Sequence, residues 1–96
     1  MVTMMVRCRV SDYEAWRAEW LPALEQHYAR GEVRSFRLWR GAEDPNVIVL
    51  AEVFESRELA EAVISDPATA RTMAAHGVEL SSLRVDLVEE VGSGSR

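Results

Sequence analysis

The sequence has no lysine, only one cysteine and no long apolar run, and each absence narrows the chemistry open to the chain. All eleven basic residues are arginines, so the chain cannot form a lysine Schiff base or attach pyridoxal phosphate internally. The single cysteine, Cys8, cannot form an internal disulfide, so nothing indicates an oxidising compartment. Because no apolar leader or membrane-spanning run is present, we expect a cytoplasmic protein with no membrane partner.

The charge of the chain is −5 at pH 7, and its arginines are scattered without forming a basic stripe. Because phosphate backbones are bound by clustered basic residues, we expect no nucleic acid partner. The sequence also has no glycine-rich phosphate loop, and its two histidines show no short ligand spacing. We therefore expect no cofactor and no metal site.

The length of 96 residues, with 48% hydrophobic and 28% charged content, fits a single globular domain. We place this domain at residues 1–91 and expect a flexible polar tail over residues 92–96, "GSGSR". A domain of this size buries only about 60–65% of its unfolded surface, so association with a partner is an attractive source of stability.

Hydrophobic periodicity predicts four strands. In residues 3–10, apolar Met4, Val6, Cys8 and Val10 alternate with the residues between them, which is the period of a strand. The turn-forming "GAEDPN" predicts a hairpin between the second and third strands. The predicted strands are residues 3–10, 32–40, 47–54 and 83–91.

Capping signals predict two helical regions. Ser11 and Glu14 match the S-x-x-E capping box that starts a helix, and Gly31 is suited to end it. Pro22 predicts a kink or break near Trp20 and Leu21. The second region is predicted to start after Ser56, to restart at Asp66 and Pro67 and to end at Gly77.

The resulting order, βαββαβ, predicts an α+β ferredoxin-like fold with a four-stranded antiparallel sheet and both helical regions on one face. The third strand is apolar on both faces, since Val47, Val49, Ala51 and Val53 alternate with Ile48, Leu50 and Phe54. A sheet face in water should alternate with polar residues instead. We therefore expect the uncovered face to pair with its own copy in a homodimer.

An aromatic stripe runs along the first helix. Tyr13, Trp16, Trp20, Leu24 and His27 follow the helical i, i+3, i+4 spacing and should face the sheet together. Two interpretations follow. The stripe either fills the core, or it walls a cavity in which a small aromatic ligand reaches the polar ends of these side chains.

His27 of this stripe and three further side chains are candidates for a site. His27 is the candidate catalytic base, with interaction of its ring with the helix dipole as the alternative. His76 precedes a helix-ending glycine, where it either binds substrate or meets free carbonyl groups. Arg37 and Trp39 share one side of the second strand, where they either bind an anionic intermediate or pair across the dimer.

The segments "SDYEAW", "DPN", "SDP" and "LVEEV", taken in this layout, resemble the dimeric α+β barrel superfamily. More specifically, residues 2–91 resemble its small proteins of the antibiotic biosynthesis monooxygenase and polyketide cyclase-like group. That resemblance implies the fold and the dimer. The superfamily includes cofactor-independent monooxygenases acting on polycyclic phenols, cyclases, isomerases, haem-degrading enzymes and proteins without known activity.

Departures from the pattern limit what the resemblance implies. The haem-degrading branch has an asparagine on the first strand and a tryptophan on the second helix, and residues 56–76 contain no tryptophan. Ala23 stands where related proteins often have a histidine. The resemblance implies a cofactor-independent monooxygenase or cyclase for an aromatic, polyketide-like molecule, bound between the first helix and the sheet. The alternative is a non-catalytic, small-molecule-binding or structural dimer.

Overall fold

The computed structural model describes residues 1–96 as four strands and three helices. The strands are β1 (Val2–Val10), β2 (Val33–Arg40), β3 (Val47–Phe54) and β4 (Val78–Val88). The helices are α1 (Tyr13–Ala29), α2 (Arg57–Ser65) and α3 (Pro67–Ala75). The predicted order is confirmed, with the second helical region divided at Asp66, whose side chain accepts a hydrogen bond from the Ala68 N–H at 2.9 Å.

The strands form one antiparallel sheet in the order β2-β3-β1-β4, which confirms the ferredoxin-like α+β fold. The even-numbered residues of β1 point toward the helices and are at most 8% exposed. On β3, the residues opposite them complete this inner face. The largest fully buried side chains of the core are Val10, Leu24, Ile48 and Phe54.

Helix α1 begins one residue later than the capping box predicts. Asp12 is the N-cap, and its Oδ1 accepts a hydrogen bond from the Ala15 N–H at 3.0 Å. The Ser11 N–H donates to the Gly77 carbonyl at 2.9 Å, which holds Ser11 against the turn between α3 and β4. The assignment of the cap to Ser11 was therefore wrong, because a tertiary contact fixes that residue outside the helix.

Pro22 does not break α1, which runs through it as a single helix of 17 residues. The predicted interruption near Trp20 and Leu21 was wrong. Pro22 is exposed, so the carbonyl group that loses its helical partner is open to water. Buried Trp16 and Leu24 anchor the helix to the sheet on both sides of the proline.

Strand β4 begins five residues before the predicted start and ends three residues before the predicted end. The register between β1 and β4 shifts between Arg7 and Arg9, and there the Arg9 N–H donates to Ser82 Oγ at 2.8 Å. Such a bulge interrupts the alternation of side chains, so periodicity missed the first part of the strand. The strand ends at Val88, which pairs with Thr3 near the start of β1.

Substitution of the two helix-ending glycines tests how tightly each turn is packed. Gly31 and Gly77 have φ values of +74° and +85°, where any other residue is strained by about 1–2 kcal/mol. A Cβ atom on Gly77 would also lie 2.4 Å from Ser11 Oγ, whereas a Cβ on Gly31 would meet nothing within 4 Å. We expect Gly77→Ala to lower the melting temperature more than Gly31→Ala. Equal losses would show that the Ser11 hydroxyl simply turns away.

Candidate functional site

The first part of the aromatic stripe is packed against the sheet. Tyr13 and Trp16 are 8% and 4% exposed, and Leu24, further along the stripe, is 2% exposed. The indole rings of Trp16 and Trp20 stack with their centroids 4.9 Å apart and their planes at 12°. This contact leaves no space for a ligand between the two indoles. Tyr13 and Trp16 therefore contribute to the core, while their predicted role in binding substrate stays a prediction.

The last part of the stripe is more open. The ring of Phe36, on β2, is 5.7 Å from the Trp20 ring in an edge-on arrangement and 5.8 Å from the Tyr28 ring. All three side chains, which we call the Phe36 cluster, are partly exposed. The cluster therefore presents aromatic surface to solvent near the C-terminal end of α1, where a planar molecule can stack on it.

His27 lies in the turn of α1 that adjoins this cluster. Its Nδ1 atom is hydrogen-bonded to Glu32 Oε2, and the Glu32 N–H donates to the His27 carbonyl at 3.0 Å. This side-chain hydrogen bond holds the pKa of Glu32 below its usual value. Because Nδ1 is engaged, Nε2 is the ring nitrogen available for another partner. The imidazole is 41% exposed, so a ligand can reach it.

Glu52 is a second ionisable group on the same side of the sheet, and the sequence analysis missed it. It lies opposite Met4 on β1 and Phe36 on β2, and therefore faces the helices. Its neighbours along that face, Leu50 and Phe54, are 4% and 2% exposed. Burial raises the pKa of the Glu52 carboxyl, and the charge of His27 partly offsets that rise.

A signal for Glu52 was present in the sequence. The inward positions of β3 are otherwise apolar, and Glu52 is the one charged residue in the series Ile48, Leu50, Glu52, Phe54. Burying a carboxylate in such a series lowers the stability of the fold unless the charge is paired, so its presence indicates a role in a site.

His76 belongs to a different part of the molecule. It forms the C-cap of α3, and its Nε2 atom is 3.4 Å from Glu19 Oε2 on α1. Glu19 precedes His27 by eight residues, or about 12 Å along a helix. The structure thus uses His76 to link two helices and does not bring it to the His27 end of α1. Its predicted role in binding substrate stays untested.

Arg37 and Trp39 lie on the face of the sheet that the helices do not cover. They are opposite Ala51 and Val49 in the register of β2 and β3. Trp39 is 46% exposed, and Arg37 lines a depression of about 390 Å³ on this face. The sheet therefore separates both residues from His27 within one chain.

Three other features of the chain limit the chemistry of a site. Burial raises the pKa of the Cys8 thiol to about 11, which leaves it protonated and unreactive at neutral pH. No three His, Cys, Asp or Glu side chains are grouped so that they could hold a metal ion. None of the helices has the length and apolar character needed to cross a membrane.

Comparison with solved structures gives matches over nearly the whole chain. An antibiotic biosynthesis monooxygenase superposes with a TM-score of 0.74 at 12% identity, covering 96% of this chain and all of that one. A variant of SnoaB, a cofactor-independent oxygenase from Streptomyces nogalater, matches with a TM-score of 0.74 at 13% identity, covering 96% and 94%. A Nitrosomonas europaea protein, provisionally described as an antibiotic biosynthesis monooxygenase, matches with a TM-score of 0.72 at 20% identity, covering 96% and 100%.

No protein-family model matches the sequence, and no curated protein is significantly similar to it. The structural matches all have low sequence identity, so they show a shared fold and do not by themselves show a shared function. The chain has the ferredoxin-like α+β fold of the antibiotic biosynthesis monooxygenases, which is the fold that its sequence resemblance implies.

Proposed function

We propose that the protein is a cofactor-independent monooxygenase that acts on a polycyclic phenol or a related aromatic polyketide. The observation that carries this proposal is the His27–Glu32 hydrogen bond beside the partly exposed Phe36 cluster. This arrangement places a base, His27, beside an aromatic surface on which a flat ring can stack. The fold supports the proposal, because structures with this fold include a cofactor-independent oxygenase.

For this reaction the protein must supply a base and a surface from which water is excluded. His27 Nε2 takes a proton from an acidic CH2 group between two aromatic rings and leaves an electron-rich anion. The anion passes one electron to O2, and the two resulting radicals combine to form a C–O bond. Loss of water then gives a ketone, so that CH2 and O2 become C=O and H2O. The substrate itself is the reductant, and no flavin or haem is needed for the electron balance.

Glu32 and the Phe36 cluster have separate roles in this proposal. Glu32 fixes the orientation of the His27 ring through Nδ1 and stabilises the imidazolium that forms when the ring is protonated. The partly exposed rings of Trp20 and Tyr28 contact the flat substrate and keep water away from its anion.

Oxygen uptake tests the proposal. With dithranol, a hydroxylated anthrone, as the probe, chelator-treated protein should consume O2 faster than the same solution without protein. Uptake at the rate of uncatalysed autoxidation would overturn the proposed function. Stacking of the probe on Trp20 should also quench tryptophan fluorescence, so a titration measures binding independently of turnover.

We also propose a homodimer formed through the uncovered sheet face, here called the open face. This face combines exposed apolar groups with arginines, a composition suited to association with a second copy. Its central residues are Met5, Arg7, Arg37, Trp39, Val49, Ala51 and Val53.

Light scattering should give twice the chain mass of 10.8 kDa at micromolar concentration. Val49→Glu places a charge at the centre of the open face and should give monomers. Val91→Glu is the matched control, because Val91 lies after the end of β4, is 99% exposed and should leave the mass unchanged. A monomeric wild type would contradict the dimer.

A further inference from the structure

Resting on the proposed oxygenation, we propose that Glu52 is a second acid–base group of the site, which removes the remaining carbon-bound proton when the peroxide intermediate collapses to the ketone. His27 would then act at the start of the reaction and Glu52 at its end. Glu52 is otherwise an unexplained charge in an apolar layer.

The position of Glu52 distinguishes it from the other carboxylates of the chain. Its strand neighbours, Met4 on β1 and Phe36 on β2, are apolar, and so are Leu50 and Phe54 on its own strand. From the helices, α2 packs on β1 and β3 with its buried Ala60, a residue without charge. The charge that acts on Glu52 comes from His27 of α1.

The two groups belong to opposite layers of the structure. His27 projects from α1, whereas Glu52 projects from the sheet toward the helices. A flat substrate that stacks on the Phe36 cluster at the edge of these two layers would have His27 on its α1 side and Glu52 on its sheet side. Glu52 is next to Phe36, whose ring also contacts Trp20 and Tyr28, so the carboxyl adjoins the surface on which the substrate stacks.

The reaction needs bases on both faces for a geometric reason. The two hydrogens of a CH2 group point to opposite faces of a planar ring system. When His27 removes one hydrogen and O2 adds on that same side, the second hydrogen points toward the sheet. His27 cannot reach it without turning the substrate over, whereas a carboxylate on the sheet can.

The proton and electron balance of the last steps is complete with these two residues. The His27 imidazolium returns its proton to the peroxide anion and forms a hydroperoxide. The Glu52 carboxylate then takes the carbon-bound proton, the C–H electron pair forms the C=O bond, and the O–O bond breaks to release hydroxide. Glu52 gives its proton to the hydroxide, which leaves as water, and both residues return to their starting states.

Glu52→Gln separates the early and late steps. With dithranol and air, this variant should still consume O2, but the hydroperoxide, with the mass of substrate plus O2, should accumulate at least tenfold over its wild-type level. The ketone should decrease correspondingly. Glu43→Gln, on the exposed hairpin loop, is the matched control and should give the wild-type product ratio.

Stability gives a second readout that does not depend on turnover. Because burial raises the folded-state pKa of Glu52, the ionised carboxylate opposes folding once the pH rises above the ordinary glutamate value. Glu52→Gln should therefore raise the melting temperature at pH 7, and this gain should vanish below about pH 4, where the carboxyl is protonated in both states. If Glu52 instead stabilised the fold, Glu52→Gln would lower the melting temperature at pH 7.

The outcomes are distinguishable. Wild-type protein that consumes no O2 above background would overturn the proposed function and the role of Glu52 with it. An active wild type with an unchanged product ratio in Glu52→Gln would overturn the role of Glu52 alone. Accumulated hydroperoxide in a variant that is more stable at pH 7 is the result that we expect.

Discussion

Replacing Trp16 with alanine is expected to lower the free energy of unfolding by about 3–5 kcal/mol, a large part of the stability of a small domain. Trp16 is 4% exposed and stacks on the Trp20 ring at 4.9 Å. Removing the indole leaves a gap between α1 and the sheet that the surrounding strands cannot close. Urea unfolding followed by circular dichroism measures the loss.

Trp20→Ala is the matched comparison for Trp16→Ala. Trp20 is partly exposed, so water can enter the space that its ring leaves, and the loss of stability should be clearly smaller than for Trp16. This variant should instead weaken the binding of planar phenols. Equal destabilisation by the two changes, with dithranol binding unaltered, would show that the whole stripe is core and would remove the proposed binding surface.

His27→Gln should lower the rate of O2 consumption by about 100-fold or more, the typical effect of removing a general base. The side chain is 41% exposed, so folding should be nearly unaffected, and the melting temperature verifies this. Gln26→Ala, at an exposed position in the same turn, is the control and should retain wild-type activity. Unchanged turnover in His27→Gln would show that another group takes the proton.

Much of the fold could be predicted because the signals that define it are local. The alternation in β1 and β3, the glycines at the ends of α1 and α3, and the Asp66–Pro67 restart each depend on neighbouring residues. The errors arose where distant residues intervene. The contact of Ser11 with Gly77 displaced the helix cap, and the bulge beside Arg9 concealed the start of β4.

The candidate site was less predictable for the same reason. Helical spacing placed Trp16 and His27 on one face, but it could not show that the indole is stacked while the imidazole is partly exposed. Those environments depend on the ring of Phe36 and the carboxylate of Glu32, which lie beyond the helix. Sequence alternation also placed Arg37 and Trp39 together on one side of β2, and only the register of β2 with β3 shows that this side is away from His27.

The role of Glu52 depends on pairing that no single segment reveals. Within β3 it is one glutamate among apolar residues. The register with β1 and β2 places it on the helix-facing side, and the position of α1 brings the charge of His27 within range of it.

Mass spectrometry of the product formed under isotopically labelled O2 tests the central claim, cofactor-independent monooxygenation, most directly. Chelator-treated wild-type protein incubated with dithranol should yield a ketone that carries one labelled oxygen atom, formed faster than without protein and far more slowly by His27→Gln. Product formed no faster with the protein than without it, or a ketone whose oxygen comes from water, would contradict the account.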